Sequence, residues 1–470
     1  MIAVFTPLNG KPLAMLELVL RYVNSLLSHE KFDIQPVLTA GEDPVLIWDH
    51  PERESSYQKL PRRIFLPYSP DAANLFFSGR AFPATLVQNY RLREEEFPAL
   101  FPVNRQSAQL IRFDNEVITY EADLISQLFL LLSGWDERFS PKDSLGRVTH
   151  RGSLIERLNL TERPLAEETV SALLQGLHAL SVPDSFRFHN RHSWRIRLTH
   201  DIDHLKRWTA GFFIRKGLRM LTSPSADATQ DLLSEIRQWR TQPDPYPESL
   251  VWLLAQAERV NARPVVFLRA GKGTRRDSKI SFRHPAVHRL EQLSAEGKVD
   301  IGLHPTLKSA SDDEQFYRDW NVLKEAIPGS KLYVRQHFLM FDPDRTPAVH
   351  ESAGIVRDFT LGFHDHEGFR RATVHPFPGF RFDTWSVTSV WYIPLIFMDA
   401  TASDYRSMTP DGARVRLEAL LKTVRQWQGD VSVLFHNGFH PQFDSGWSET
   451  YLKVLQICHS GHAWMGGDPD

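Results

Sequence analysis

From Trp194 onward, short β-rich runs alternate with helical segments, and few folds accommodate such an alternation. Parallel strands must be joined by crossover connections, usually helices, so the pattern predicts a parallel sheet or a (β/α) barrel. Apolar residues at helical spacing mark two segments between the runs, 248–261 and 284–296. The predicted strands of this region are 196–199, 264–268, 299–303, 332–338, 359–363 and 431–435.

The first half of the sequence has the pattern of a separate α/β domain. The predicted strands are 2–5, 45–48 and 63–66, and the predicted helices are 13–27, 122–132 and 165–180. Pro183, Asp184 and Asn190 lie in a stretch without clear period, which indicates a boundary. We therefore predict an α/β protein with an N-terminal α/β domain at 1–190 and a distorted (β/α) barrel domain at 191–470.

Composition excludes several classes of protein. The formal net charge of the 470 residues is −2, so no bulk positive field attracts nucleic acid. Cys458 is the single cysteine, which excludes an intrachain disulfide and a thiolate metal cluster. The chain has no stretch of about 18 uninterrupted apolar residues, and its start lacks the basic residues of a secretory signal. We expect a cytoplasmic protein without a transmembrane segment.

Polar residues stand where the predicted strands of the second half end, the position at which barrels carry their active sites. After the first strand, a period of two places Asp201 and Asp203 on one face. Two such close carboxylates will differ in environment, so one can bind a cation while the other acts as a base. The alternative is an Asp-rich turn, because Asp and His are common turn residues.

Four further residues extend this pattern. His304 ends an apolar strand, and its neutral imidazole would bind the same metal as Asp203. Arg335 can orient a carboxylate, although a surface ion pair is an equal alternative. His436 ends the last predicted strand and can deliver a proton to a leaving group, with Asp358 as the candidate acid that holds it.

In order and spacing these motifs resemble the polysaccharide deacetylase family, the NodB-type fold of carbohydrate esterase family 4. Residues 199–203 resemble its first motif, Thr-Phe-Asp-Asp-Gly, with one residue between the carboxylates. The other similar segments are 263–268 for the Ala-Thr-Phe-Phe strand, 297–304 for Gly-His-Glu-Ile-Gly-x-His, 335–338 for Arg-x-Pro-Tyr and 434–437 for Leu-x-His. The first half resembles an N-terminal α/β domain found in a bacterial subgroup of the family.

The resemblance implies a role for each residue. Asp201 would be the general base, Arg335 the partner that tunes it, and His436 the general acid supported by Asp358. Asp203 and His304 would bind a divalent metal, commonly zinc in this family. The implied activity is metal-dependent hydrolysis of N-acetyl groups on a carbohydrate or a sugar-containing precursor, including one linked to a membrane.

One position departs from the family pattern. The family's second motif is His-Ser/Thr-x-x-His, and Lys308 stands where its second histidine belongs. An ammonium group cannot coordinate a metal, and catalytic zinc usually has three protein ligands. His337 is the best candidate for the third ligand, because it lies at the end of a predicted strand, at a position where the family ordinarily has proline.

Two other functions remain open from the sequence. A descendant that has lost catalysis could bind saccharide or a protein partner through the same cleft, which Lys308 favours and the retained acid and base oppose. Hydrolysis of a non-carbohydrate amide would use identical chemistry at the metal. The sequence predicts no oligomeric state.

Overall fold

The computed structural model of this protein describes residues 2–27, 32–35, 45–180, 194–222, 226–274, 277–438, 441–442 and 445–467. The chain divides into two compact units, and each is built from three stretches of sequence. The first unit comprises Met1–Trp194, Leu339–Ile396 and Lys422–Val431, and the second comprises Arg195–Phe338, Phe397–Leu421 and Ser432–Asp470. The predicted boundary at residue 190 lies outside the described residues. The sequence pattern predicts two continuous domains, whereas each observed unit combines separate stretches of the chain.

The chain contains both strands and helices in alternation, as an α/β fold requires. The strands are β1 Ile2–Phe5, β2 Phe32–Gln35, β3 Val45–Asp49, β4 Arg63–Pro67, β5 Gln88–Leu92, β6 Glu95–Ala99, β7 Ile111–Asp114, β8 Val117–Tyr120, β9 Arg195–Ile202, β10 Val265–Arg269, β11 Asp300–His304, β12 Tyr333–Val334, β13 Arg357–Asp358, β14 Phe377–Arg381, β15 Ser386–Tyr392, β16 Leu395–Met398 and β17 Asp430–Leu434.

The helices vary from one turn to more than four turns. They are α1 Lys11–Leu26, α2 Pro70–Ser78, α3 Leu124–Ser133, α4 Leu154–Arg157, α5 Leu165–Ala179, α6 Ala210–Thr222, α7 Ala226–Thr241, α8 Pro245–Arg259, α9 Pro285–Ala295, α10 Asp313–Ala326, α11 Thr346–Ser352, α12 Pro410–Gln426 and α13 Ser445–Ser460. No helix in the described ranges combines the length and the apolar composition that crossing a bilayer requires.

The first unit contains a six-stranded sheet in the order β2–β1–β3–β4–β8–β7. Its strands pair in parallel except for the antiparallel hairpin of β7 and β8. All residues of β3 and β4 are buried, which matches the continuous apolar character of central parallel strands. Helix α3 is buried along its whole length and packs against α1 and α5.

A buried ion cluster joins two stretches of sequence within the first unit. Glu137 accepts hydrogen bonds from Arg370 at 2.8 and 2.9 Å and from Arg371 at 3.1 Å. Gly134 has a φ of 71°, and the Arg371 guanidinium occupies the space that a β-carbon there would need. This cluster explains why residues 339–396 fold with the N-terminal part of the chain.

The second unit carries a parallel sheet that positions the candidate site. The strand order is β12–β11–β10–β9–β17, and β16 lies beside β17. Strands β9 to β12 pair in parallel, so their carboxyl ends meet at one edge. The predicted α/β class is confirmed, but no pairing among the described strands closes this sheet into a complete barrel.

Two of the predicted strands differ from the structure. Residues 359–363 are buried but belong to no strand, and β13 ends at Asp358. Only two residues of the predicted strand 332–338 pair, as β12. Both predictions were wrong for the same reason: a short apolar run is needed in any buried segment and does not specify an extended backbone.

Candidate metal centre

Strand β9 presents the first two carboxylates of the site. The strand is buried from Ile196 to Ile202, and alternation places Asp201 on the same face as Thr199. Asp203 follows immediately after the end of the strand. Asp201 is 3% exposed, whereas the side chain of Asp203 is 26% exposed, so Asp203 lies nearer to solvent.

Three residues bring potential metal ligands together, as the sequence predicted. These residues are Asp203, His304 and His337, and one ligand atom from each lies within 4.8 Å of the other two. Asp203 Oδ1 is 3.3 Å from His304 Nε2 and 3.5 Å from His337 Nε2. His304 is the last residue of β11, and His337 follows β12, which is the neighbouring strand.

The second ring nitrogen of each histidine has its own acceptor. His304 Nδ1 donates a hydrogen bond to the backbone carbonyl of Arg335 at 2.7 Å. His337 Nδ1 lies 2.9 Å from Asp277 Oδ1, whose side chain is fully buried. Because a carbonyl oxygen only accepts, His304 Nδ1 carries a proton, and Nε2 is the ring nitrogen that faces Asp203. Such outer partners are typical of histidines that bind metals.

Electrostatics favour the ligand forms of His337 and Asp203. Burial lowers the pKa of His337 to about 4 despite the opposing Asp277 carboxylate, so the imidazole is neutral at pH 7. Burial alone would raise the pKa of Asp203, but His304, His337 and Arg269 together hold it well below its usual range. Neutral imidazole and ionised carboxylate are the forms that coordinate a cation.

Arg335 positions the neighbouring carboxylate of Asp201. Its Nη1 donates to Asp201 Oδ1 at 3.0 Å and to Thr199 Oγ1 at 2.7 Å. Arg335 is fully buried, and its guanidinium lies over the Phe267 ring at 4.8 Å. The geometry therefore favours the predicted pair with a buried carboxylate over a surface ion pair.

His436 reaches the same place from the end of β17. Its Nε2 is 3.8 Å from Asp203 Oδ2, and its Nδ1 is 2.6 Å from Asp399 Oδ1. The other oxygen of Asp399 accepts a hydrogen bond from the His436 backbone N–H at 2.6 Å. Burial would lower the pKa of His436, but Asp399 outweighs it and raises that pKa to about 10, so the ring is protonated at pH 7.

The predicted pairing of Asp358 with His436 is corrected. Asp358 Oδ2 lies 3.0 Å from His350 Nδ1, and Asp358 Oδ1 accepts the backbone N–H of Thr360 at 2.7 Å. Both of its oxygens are thus used within the first unit. The acid that holds His436 is Asp399, which lies one residue beyond β16, and β16 is the neighbour of β17 in the sheet.

Lys308 lies in a short 3₁₀ turn at 307–310. Its side chain is 53% exposed and pairs with Asp312 at 2.9 Å. Lys308 is therefore engaged at the surface, and His337 completes the three-ligand group.

The structure adds Arg269, Asp277 and Asp399, which the sequence reasoning missed. Arg269 ends β10 and contacts Asp203 Oδ1 at 2.5 Å and Asp277 Oδ1 at 2.6 Å. Arg269 and Asp399 follow the rule that identified the other residues, because each is a polar residue at the end of an apolar strand. Asp277 lies in a loop and has no such signal.

The residues present fit a divalent cation. One carboxylate and two imidazoles, all with outer hydrogen-bond partners, form a donor set suited to zinc. A centre with three protein ligands leaves room for water or substrate. Arg269 contacts Asp203 Oδ1, and the second carboxylate oxygen of Asp203, Oδ2, faces His436.

Comparison with known proteins gives two findings. Residues 16–181 match the model of a family of unknown function, DUF7033, which is less than half of the chain. A solved structure named "Crystal structure of putative polysaccharide deacetylase from Mycobacterium smegmatis" is 16% identical, with a TM-score of 0.37 over 59% of this chain and 87% of that chain. No curated protein matches the sequence.

Proposed function

We propose that this protein is a metal-dependent hydrolase that removes N-acetyl groups from a carbohydrate. The observation that carries the proposal is the convergence of a three-ligand group, a positioned carboxylate and a protonated imidazole at one sheet edge. Hydrolysis of an amide needs an activated water, a base and an acid, and these residues can supply all three functions.

In this proposal Asp203, His304 and His337 hold the metal. A divalent ion at this position would lower the pKa of a bound water and polarise the amide carbonyl. Asp201 accepts the proton of the attacking water, and Arg335 holds its carboxylate in place through the 3.0 Å hydrogen bond. The products of the reaction are acetate and a free amine.

His436 has the role of the general acid. Its raised pKa keeps a proton on Nε2 at neutral pH, and this proton passes to the nitrogen of the departing amine. Asp399 holds the ring through Nδ1 and stabilises its positive charge. The two roles are kept apart by their partners. The Arg335 guanidinium favours the ionised form of the base, Asp201, and the Asp399 carboxylate favours the protonated form of the acid, His436.

Metal content measured by elemental analysis, together with acetate release from acetylated oligosaccharides, tests this proposal. We expect stoichiometric metal in the wild type and its loss in His337→Ala. His288→Ala is the matched control, since His288 is an exposed histidine on α9 that pairs with Glu291. Lys308→Ala should also keep the metal.

The catalytic roles have a separate test. With metal bound, Asp201→Asn and His436→Gln should each lower the rate of acetate release by roughly 10²–10⁴-fold. Metal without hydrolysis of any acetylated saccharide would contradict the deacetylase and favour a binding function. A wild type that binds no zinc or cobalt would contradict the metal site itself.

A further inference from the structure

The helical hairpin of α6 and α7 follows the candidate metal centre along the chain and has an unusually apolar surface. Sixteen large apolar side chains are exposed in the described parts of the protein, and five belong to this hairpin. These five are Ile214 (61% exposed), Leu218 (55%), Leu221 (74%), Leu233 (62%) and Trp239 (51%). Exposed apolar residues that cluster in this way mark an interaction surface.

The exposed residues of α6 share one face of the helix. Ile214, Leu218 and Leu221 are spaced by four and three residues, which places them in one stripe. The opposite side of α6 faces α7, where Phe213 contacts Trp239 at 5.4 Å and Lys216 pairs with Asp231 at 2.7 Å. The stripe is therefore not the face by which the hairpin holds itself together.

The charges of α6 indicate what this stripe contacts. The sequence of α6 contains Arg215, Lys216 and Arg219 and no acidic residue, and Lys216 is engaged by Asp231 and Glu235 of α7. Arg215 is exposed and lies next to Ile214 in sequence, at the flank of the stripe. A basic helix with an exposed apolar stripe is the pattern of helices that lie in the surface of an anionic membrane.

The hairpin is anchored to the segment that carries the catalytic carboxylates. Glu235 of α7 accepts hydrogen bonds from Arg207 at 2.7 Å and from Trp208 Nε1 at 2.8 Å. Arg207 is four residues beyond Asp203, so the hairpin is held close in sequence and space to the end of β9. A surface bound by the hairpin would lie near the site.

We propose that the α6–α7 hairpin docks the protein on an anionic lipid bilayer, with the Ile214–Leu218–Leu221 stripe in the interface. The inference also concerns the substrate, and this part rests on the proposed function: the acetylated saccharide is carried by a lipid. The bilayer then presents the sugar to the edge of the sheet where Asp203, His304 and His337 meet.

Co-sedimentation of the full-length protein with vesicles tests the docking. The vesicles contain phosphatidylcholine alone or phosphatidylcholine with phosphatidylglycerol. We expect binding to the anionic vesicles that falls with salt, a roughly tenfold loss in the double variant Ile214→Gln/Leu218→Gln, and a similar loss in Arg215→Glu. Val415→Gln on α12 is the matched control, because Val415 is an equally exposed apolar residue (64%).

Each outcome bears on the proposal. Equal sedimentation of wild type and double variant would overturn it. So would a wild type that binds no vesicle and forms a dimer that the double variant loses, since the stripe would then be covered by a second copy. Acetate release from a soluble acetylated oligosaccharide separates the two proposals: turnover without vesicle binding overturns the docking alone, and vesicle binding without any turnover overturns the hydrolase alone.

Discussion

At the scale of single residues, the site depends on partners that hold each functional group. His304 and His337 present Nε2 because their Nδ1 atoms are bound to a carbonyl and a carboxylate. Asp201 and His436 are likewise held by Arg335 and Asp399. Replacing such a partner should change the metal affinity or the pKa of the group that it holds, while the group itself stays in the protein.

Removal of Asp277 should weaken the metal site. Without its carboxylate, His337 loses the acceptor that fixes its ring, so Asp277→Ala should lower zinc affinity roughly 10–100-fold. Competition with a chromogenic chelator measures this affinity. Asp312→Ala removes the surface partner of Lys308 and should leave zinc affinity unchanged. An unchanged affinity in Asp277→Ala would contradict the ligand role of His337.

Asp399 should determine the protonation of His436. In the metal-free protein the His436 pKa is raised to about 10, so its contribution to the free energy of unfolding is fully present below pH 6.5 and is lost as pH rises toward 10. Asp399→Asn removes the negative charge that raises the His436 pKa against the effect of burial, so this pKa should fall well below 10. NMR titration of the imidazole resonances measures it, with the exposed Asp404→Asn as control.

At the scale of secondary structure, the edge of the parallel sheet decides where chemistry collects. Pairing aligns Arg269 of β10 with His304 of β11, and Phe267 with Asp201 of β9. Residues from strands far apart in sequence thus end at one level. The hairpin of α6 and α7 is the element inserted directly after this edge, and Glu235 is its anchor.

Glu235 should give the hairpin a pH-dependent stability. Burial opposes ionisation, but Arg207, Trp208 and Lys216 lower the pKa of Glu235 from 4.5 to about 2. The stabilisation is therefore present above pH 4.5 and is lost as pH falls toward 2. Because the Arg207 side chain is 35% exposed and solvent screens the pair, we expect Glu235→Gln to cost about 1–2 kcal/mol at pH 7.

Chemical denaturation at several pH values checks this prediction. The difference in the free energy of unfolding between wild type and Glu235→Gln should shrink as the pH is lowered from 5 to 3. Glu314→Gln is the control, because Glu314 is 85% exposed and pairs with Arg318 on the surface of α10. A difference that is constant with pH would show that packing, and not charge, accounts for the role of Glu235.

At the scale of the whole molecule, the two units interleave along the chain, and buried charges join the stretches of the first one. Glu137 compensates two arginines, and burial lowers the pKa of Arg371 to about 10. Without the Glu137 carboxylate, the guanidinium groups of Arg370 and Arg371 stay buried but lose their negative partner. Glu137→Ala should therefore lower the free energy of unfolding by about 3–5 kcal/mol.

Thermal and chemical unfolding of the full-length protein measure this loss. The exposed Glu94→Ala provides the control in the same unit. A loss below about 1 kcal/mol would mean that water or other groups compensate the arginines. The metal affinity of the second unit should not change, because none of the three ligands belongs to the first unit.

The sequence by itself determined the elements that are coded locally. Central strands such as β3, β9 and β11 follow from short β-rich runs, and the helices α1, α3 and α5 follow from periodicity. The candidate ligands Asp203, His304 and His337 were also predictable, because a polar residue after a buried strand lies at the sheet edge whatever the strand order. The exposed stripe of α6 could have been found by the same periodicity.

Only the tertiary structure decided which of these residues are partners. Asp358 precedes an apolar run and Asp399 follows one, but the place of β16 beside β17 gives His436 to Asp399, while Asp358 binds His350. How far the sheet of the second unit closes and the grouping of 339–396 with the first unit were likewise beyond local patterns. Strand order and the pairing of buried charges depend on contacts between residues far apart in sequence, which periodicity and spacing do not encode.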